Sequence, residues 1–181
     1  MLRSIRDVLT CNMSCPDGEL GKVEKVYFDV RSWRLRYLMV DISVWKYGKK
    51  IAVPPGCIHQ IDFASSDIKL SVALKLMVDS VPIDMEEALC PSLMSTVQAL
   101  GYTIEAAEGP IGRIRDFLFD DQSWMIKYLN VDTHEWWQSE SDVLLPTESI
   151  VSLDSANATI STSLSRDALE RSPVYGDQVP I

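Results

Sequence analysis

One pattern occurs twice in this chain, 91 residues apart. Residues 18–41 align with residues 109–132 without a gap, and ten of the 24 aligned positions are identical. Average composition would give only about one or two identities in a window of this size. After a one-residue shift the match resumes, with Val53-Pro54 against Leu145-Pro146. Two repeats of this length are typical of duplicated globular modules, since a solenoid requires three or more shorter units.

Each copy carries the pattern of short β-strands. Residues 22–28 and 34–37 alternate polar and apolar side chains, and the polar residues 29–32 between them predict a hairpin turn. Further predicted strands are residues 51–53, 58–62 and 68–72, with counterparts at 143–145, 150–153 and 159–162. Five or six short strands within about 75 residues are typical of a small barrel or sandwich.

The repeat also predicts the domain limits. We expect a first domain at residues 1–84, a linker at 85–97 and a second domain at 98–181. Ser165 is a suitable N-cap for a helix that ends near Arg171, so the predicted fold is mainly β with a short C-terminal helix in each copy. Charged residues interrupt every apolar run, and Arg3, Arg6 and Asp7 do so near the N-terminus. We therefore expect a cytoplasmic protein without a membrane span.

The second copy contains the motifs Gly109-x-x-Gly112-Arg-Ile114-x-Asp116, Tyr128-Leu129-x-Val131-Asp132 and Val143-Leu-Leu-Pro146. The first copy matches them at Gly18-x-x-Gly21 and Tyr37-Leu38-x-Val40-Asp41. In these motifs both copies resemble the PRC-barrel family. Members include the barrel of the photosynthetic reaction centre H subunit and the C-terminal domain of the ribosome maturation factor. The resemblance implies two small β-barrels in tandem that act as non-catalytic interaction modules.

Charge is divided unevenly along the chain. Residues 1–84 carry a net charge of +2, whereas residues 85–181 carry −11. Exposed tryptophans and cations are frequent at binding surfaces. The candidate interaction residues are Arg34, Arg36, Lys46, Lys49, Lys50, Trp136 and Trp137. For the basic residues the open alternatives are an ordinary solvated face, a docking surface for an acidic partner or for the second barrel, and RNA contact. RNA is the least favoured because the whole chain carries −9.

Metal and redox chemistry have little support in the sequence. Asp132 and His134 are the candidate metal ligands, but a single histidine among loop carboxylates does not make a predicted site, so we expect no metal and no cofactor. Cys11 and Cys15 are expected to be buried, reduced thiols, with a redox pair as the alternative.

The sequence therefore favours a protein-interaction or assembly adaptor over an enzyme. No Gly-x-Ser-x-Gly or Cys/His arrangement stands at a recognisable spacing. The expected partner is a protein whose identity the sequence does not give, with self-association as a further expectation. A small-ligand or metal-binding module is the alternative, and an RNA- or ribosome-associated factor is a more distant one.

Overall fold

Short β-strands make up most of the regular structure, as the alternating sequence pattern predicts. The computed structural model describes residues 1–45, 49–79, 92–136 and 142–172. The chain divides into two units: unit I is Ile5–Val97, and unit II is Gln98–Ile181 together with Met1–Ser4. The division does not follow chain order completely, because the first four residues belong to the unit formed by the second half of the chain.

Unit I contains one long strand with partners on both sides. Its main strands are β2 (Asn12–Cys15), β3 (Gly18–Asp29), β4 (Arg34–Asp41), β5 (Lys50–Val53), β6 (Ile58–Asp62) and β7 (Asp67–Leu70). β3 pairs antiparallel with β2 and with β4, and β5 continues the sheet beyond β4. β7 pairs parallel with β2 and antiparallel with β6. The resulting order of these strands is β5-β4-β3-β2-β7-β6.

Unit II has the same strand order at matching positions. Its main strands are β9 (Thr103–Ala106), β10 (Gly109–Asp120), β11 (Met125–Asp132), β12 (Val143–Pro146), β13 (Ile150–Asp154) and β14 (Thr159–Thr162). They follow the order β12-β11-β10-β9-β14-β13, with β14 parallel to β9. Among the described residues, no pairing joins the two ends of this order in either unit. The fold is mainly β as predicted, but the expected closed barrels are not seen in the strand pairing.

Two strands of three residues each belong to a different unit from the one that the sequence repeat predicts. β1 (Leu2–Ser4) pairs with β10 in unit II, with Leu2 opposite Asp120. β8 (Leu93–Ser95) pairs with β3 in unit I, with Leu93 opposite Asp29. β1 and β8 are 91 residues apart, so they are equivalent strands of the two copies. Each of them belongs to the unit that contains the long hairpin of the other copy. β8 and the start of the following helix also occupy the end of the predicted linker, residues 85–97.

Helices are short in the described part of the chain. They are α1 (Ile5–Leu9), α2 (Leu74–Asp79), α3 (Thr96–Ala99) and α4 (Arg166–Glu170), with 3₁₀ turns at Pro55–Cys57 and Thr147–Ser149. Ser165 caps α4, since its side-chain oxygen accepts a hydrogen bond from the Ala168 amide at 3.3 Å. None of the described helices has the length and apolar character needed to cross a membrane.

The two long hairpins end in the same turn. Asp29 Oδ1 accepts hydrogen bonds from the amides two and three residues further on, at 3.1 and 2.9 Å. Trp33 and Trp124 close the turns in the left-handed region, each with φ of 57°. That conformation is unfavourable for a bulky residue. Stacking compensates, because Trp33 lies 5.3 Å from the Phe28 ring and Trp124 lies 5.5 Å from the Phe119 ring.

The inward faces of the strands form the core. Phe28, Leu38, Phe119 and Leu129 are fully buried. Cys11 and Cys15 are also buried, and neither forms a disulfide. Burial raises the pKa of both thiols, which lowers their reactivity. Cys90 lies outside the described residues.

Candidate functional site

A β-bulge interrupts each long hairpin at the same place. In unit I the register between β3 and β4 shifts between Val23 and Lys25, so that Glu24 is the extra residue. In unit II the register between β10 and β11 shifts between Ile114 and Asp116, so that Arg115 is the extra residue. Bulges often direct side chains towards binding surfaces. Both bulged residues carry charge, and both form an ion pair across the sheet.

In unit I the bulge lies beside a groove of about 480 Å³. The groove is lined by Leu9, Lys22, Val23, Glu24, Lys25 and Lys50. Lys50 Nζ lies 2.5 Å from Glu24 Oε2, and this contact raises the pKa of Lys50. Lys22 and Lys25 form no ion pair with any described residue. The groove therefore has one neutralised and two uncompensated cations.

In unit II the corresponding contacts form a mixed charge cluster. Arg115 Nη1 lies 3.0 Å from Asp142 Oδ1 and 3.8 Å from Asp132 Oδ2. His134 Nδ1 lies 2.6 Å from Asp132 Oδ1. The amide of His134 also donates to Asp132, and these hydrogen bonds lower the pKa of that carboxyl. The nearby Asn130 is buried; its Nδ2 donates to Asp142, while its Oδ1 has no hydrogen-bond partner among the described residues.

The two sites use equivalent positions with opposite charges. Arg115 stands at the position of Glu24 and Asp142 at that of Lys50, as the strand pairing aligns them. A third reversal places Asp116 in unit II where unit I has Lys25. Two positions keep their sign: Lys22 matches Arg113, and Asp41 matches Asp132. The ion pair at the bulge is thus retained while its polarity is exchanged.

The strand-end aspartates have a local structural role in both units. Asp41 Oδ1 accepts hydrogen bonds from the Ser43 hydroxyl and amide, at 2.5 and 2.8 Å, which lower the pKa of the Asp41 carboxyl. Asp132 makes the equivalent turn with His134. These contacts fix the direction of the loop that follows the strand.

The structure brings the predicted metal candidates together with a third residue. Asp132, His134 and Asp142 offer ligand atoms that all lie within 4.8 Å of one another. A divalent metal would have to compete with the Arg115 guanidinium, which already neutralises Asp142. Sequence reasoning did not single out Asp142 or Arg115. The available signal was the repeat, which aligns them with the Lys50–Glu24 pair.

The predicted basic residues that the structure describes lie near both ends of β4. Arg34 and Arg36 are exposed at the start of β4, whereas Lys50 is paired opposite Asp41 at its end. That separation is roughly 20 Å along the strand. Lys49 is half-buried, next to Lys50. Lys46 lies outside the described residues.

Of the two predicted tryptophans, Trp136 lies within the described residues. Trp136 is partly buried, and the Arg113 guanidinium carbon lies 5.8 Å from the centre of its ring. This distance is within the range of a cation–π contact. At the equivalent position in unit I, Trp45 is 48% exposed and donates a hydrogen bond to the Glu19 carbonyl at 3.0 Å. Trp137 lies outside the described residues.

Comparison with models of known protein families gives no match, and a search of curated proteins finds none that is significantly similar.

Proposed function

We propose that the chain is a non-catalytic protein-interaction module built from two PRC-barrel-like β units. The proposal extends the resemblance of both copies to that family and treats each open strand order as a small barrel. The residues that repeat without change are those of turns and core, such as Asp29 and Phe28 with their counterparts. Such a pattern is what we expect of a scaffold whose surfaces can diverge.

The observation that carries the proposal is the exchanged polarity at the bulge. Copies that shared a catalytic reaction would need the same chemical groups at equivalent positions. Here Glu24–Lys50 is replaced by Arg115–Asp142. Opposite charges on one scaffold are suited to binding different partner surfaces, because electrostatic complementarity determines specificity and the rate of encounter. The proposed activity is therefore binding, with each unit presenting its own surface.

A variant that exchanges the two ion pairs tests this function. It combines Glu24→Arg and Lys50→Asp with Arg115→Glu and Asp142→Lys, so each unit keeps an ion pair of reversed polarity. We expect affinity capture from a lysate to recover a reproducible partner with the natural chain and to lose it with this variant. Thermal unfolding of the two proteins should agree, which shows that the fold is intact. Failure to capture any reproducible partner, or equal recovery by both proteins, would contradict the proposal.

Metal binding is a second candidate function. One histidine nitrogen and two carboxylate oxygens are a suitable donor set for Zn²⁺ or Mn²⁺. The observation that favours it is the mutual distance of 4.8 Å or less among the ligand atoms of Asp132, His134 and Asp142. Elemental analysis of purified protein should then show one equivalent of metal, which Asp142→Asn removes. Protein without stoichiometric metal, also after incubation with Zn²⁺ or Mn²⁺, would exclude this function.

A further inference from the structure

We propose that the groove beside the bulge of unit I binds an extended protein segment with acidic residues at alternate positions. This inference rests on the proposed function and names the chemistry of the partner at one of its sites. The groove-forming cations are Lys22, Lys25 and Lys50, and the remaining lining residues are Leu9, Val23 and Glu24.

The bulge places two lysines on the same face of the sheet. Residues three apart in a regular strand point to opposite faces. Here Lys22 is opposite Asp41 and Lys25 is opposite Met39, two positions apart on β4, because Glu24 is extra. The Cα atoms of the two lysines are therefore separated by about 7 Å along the strand. This is also the spacing between alternate residues of any extended peptide.

The charges in the groove favour a ligand with two or three carboxylates. Lys22 and Lys25 have no ion-pair partner among the described residues, while Lys50 is held by Glu24 at 2.5 Å. The nearby Asp41 carboxylate accepts two hydrogen bonds from Ser43. Two lysines whose Cα atoms are about 7 Å apart along the strand match two side chains of an extended segment with acidic residues at every second position.

A protein segment fits this groove better than a nucleic acid. The partly exposed Leu9 offers an apolar contact that a peptide can use and a phosphate backbone cannot. Nucleic-acid affinity comes mainly from neutralising many phosphates, and the whole chain carries a net charge of −9. The groove volume of about 480 Å³ suits a short segment of a few residues.

The experiment measures fluorescence anisotropy of a labelled octapeptide that alternates Glu and Ser, titrated with the full chain at low salt. The Lys22→Glu/Lys25→Glu variant removes the two uncompensated cations. The matched control is Lys69→Glu/Lys75→Glu, which alters two exposed lysines elsewhere in unit I and changes the net charge equally. We expect the groove variant to weaken binding at least about tenfold and the control to change it less than about twofold. Binding should also weaken as salt increases.

Two further ligands make the result specific. An octapeptide that alternates Lys and Ser should bind the Lys22→Glu/Lys25→Glu variant better than the natural chain, and the thermal unfolding of the variant should show that it is folded. A peptide with four consecutive Glu followed by four Ser should bind the natural chain more weakly than the alternating one. Equal binding of the acidic peptide to the groove and control variants, no binding to the natural chain, or tighter binding of a single-stranded RNA oligonucleotide would overturn the inference. If one of these results is found and the ion-pair-exchange variant nevertheless loses its captured partner, this inference is wrong and the proposed function stands.

Discussion

At the scale of single residues, the repeated glycines show why the two copies keep certain identities. Gly21 and Gly112 lie on the first strand of each long hairpin, where the partner strand approaches closely. A Cβ on Gly21 would stand 1.9 Å from the Asp41 carbonyl oxygen, and one on Gly112 would stand 2.7 Å from that of Asp132. Backbone atoms cannot give way as a flexible side chain can, so only glycine fits at these positions.

We therefore expect Gly21→Ala to destabilise unit I by about 2–3 kcal/mol, because the strands must separate to accommodate the methyl group. The matched control is Gly56→Ala, where an added Cβ has no atom within 4 Å. Denaturant unfolding of both variants measures the difference. If Gly21→Ala were as stable as Gly56→Ala, the close approach of β3 and β4 at this point would be wrong.

The turn aspartates give a pH dependence with a defined direction. The Ser123 hydroxyl, the Met1 ammonium and the Ser123 amide hold the pKa of Asp120 well below its usual value. A lowered pKa in the folded state means that the unfolded chain takes up the proton first. The stabilising effect of Asp120 is therefore fully present above the ordinary aspartate pKa of about 4 and is lost progressively as pH falls below it.

Asp120→Asn should lower the free energy of unfolding at pH 7 by about 1 kcal/mol or less, and the difference from the natural chain should shrink below about pH 4. Glu108→Gln, at an exposed turn position, serves as the control. Urea unfolding at pH 7 and pH 3 provides the measurement. A difference for Asp120→Asn that stayed constant with pH would be incompatible with these hydrogen bonds.

At the scale of elements, the exchanged first strands are the feature that local sequence does not reveal. Arg3 is opposite Phe119 in unit II, and Met94 is opposite Phe28 in unit I. Three-residue strands are too short for a periodic pattern. Their positions in the sheet depend on the strands with which they pair, β10 for Leu2–Ser4 and β3 for Leu93–Ser95.

Proline at these two positions should therefore affect different units. Arg3→Pro is expected to increase amide hydrogen exchange in β10 around Leu118 and Asp120, because proline disrupts a short edge strand. Met94→Pro should instead increase exchange in β3 around Tyr27 and Asp29. Arg3→Ala, which keeps the backbone donor, serves as the control and should leave exchange in β10 nearly unchanged. Increased exchange in β3 on Arg3→Pro, with β10 protected, would contradict the observed pairing.

At the scale of the whole molecule, the units differ from the sequence repeats at their ends. The repeat predicts a first domain at residues 1–84 followed by a linker at 85–97, whereas unit I extends to Val97 and excludes Met1–Ser4. A fragment of residues 5–97 contains every described strand of unit I, including β8. A fragment of residues 1–92 lacks β8, and its Leu2–Ser4 segment has lost β10 as a partner.

We expect residues 5–97 to unfold cooperatively and to give dispersed NMR amide signals, because all the strand pairs of unit I are retained. Residues 1–92 should be less stable by about 1 kcal/mol or more, since the pairing of Tyr27–Asp29 with Leu93–Ser95 is missing. Circular dichroism during heating compares the two fragments. Equal or greater stability of residues 1–92 would show that β8 is dispensable for unit I.

The sequence by itself determined the local features of this protein. Alternation of polar and apolar residues located most of the strands, and the Asp29–Trp33 segment with its counterpart located the hairpin turns. These signals are local, because side-chain direction and turn conformation depend on residues only a few positions apart. The repeat also identified Gly21 and Gly112, the positions at which the partner strand approaches closely.

Only the tertiary structure decided which strands meet and which charges are neutralised. Glu24 and Lys50 are 26 residues apart, and Arg115 and Asp142 are 27 apart. Neither pairing has a periodic signature. Bulges at Glu24 and Arg115 shift the register by one residue, which changes the face that each later side chain occupies. The two charge-reversed sites therefore follow from strand register, which depends on the packing of distant segments and not on any local pattern.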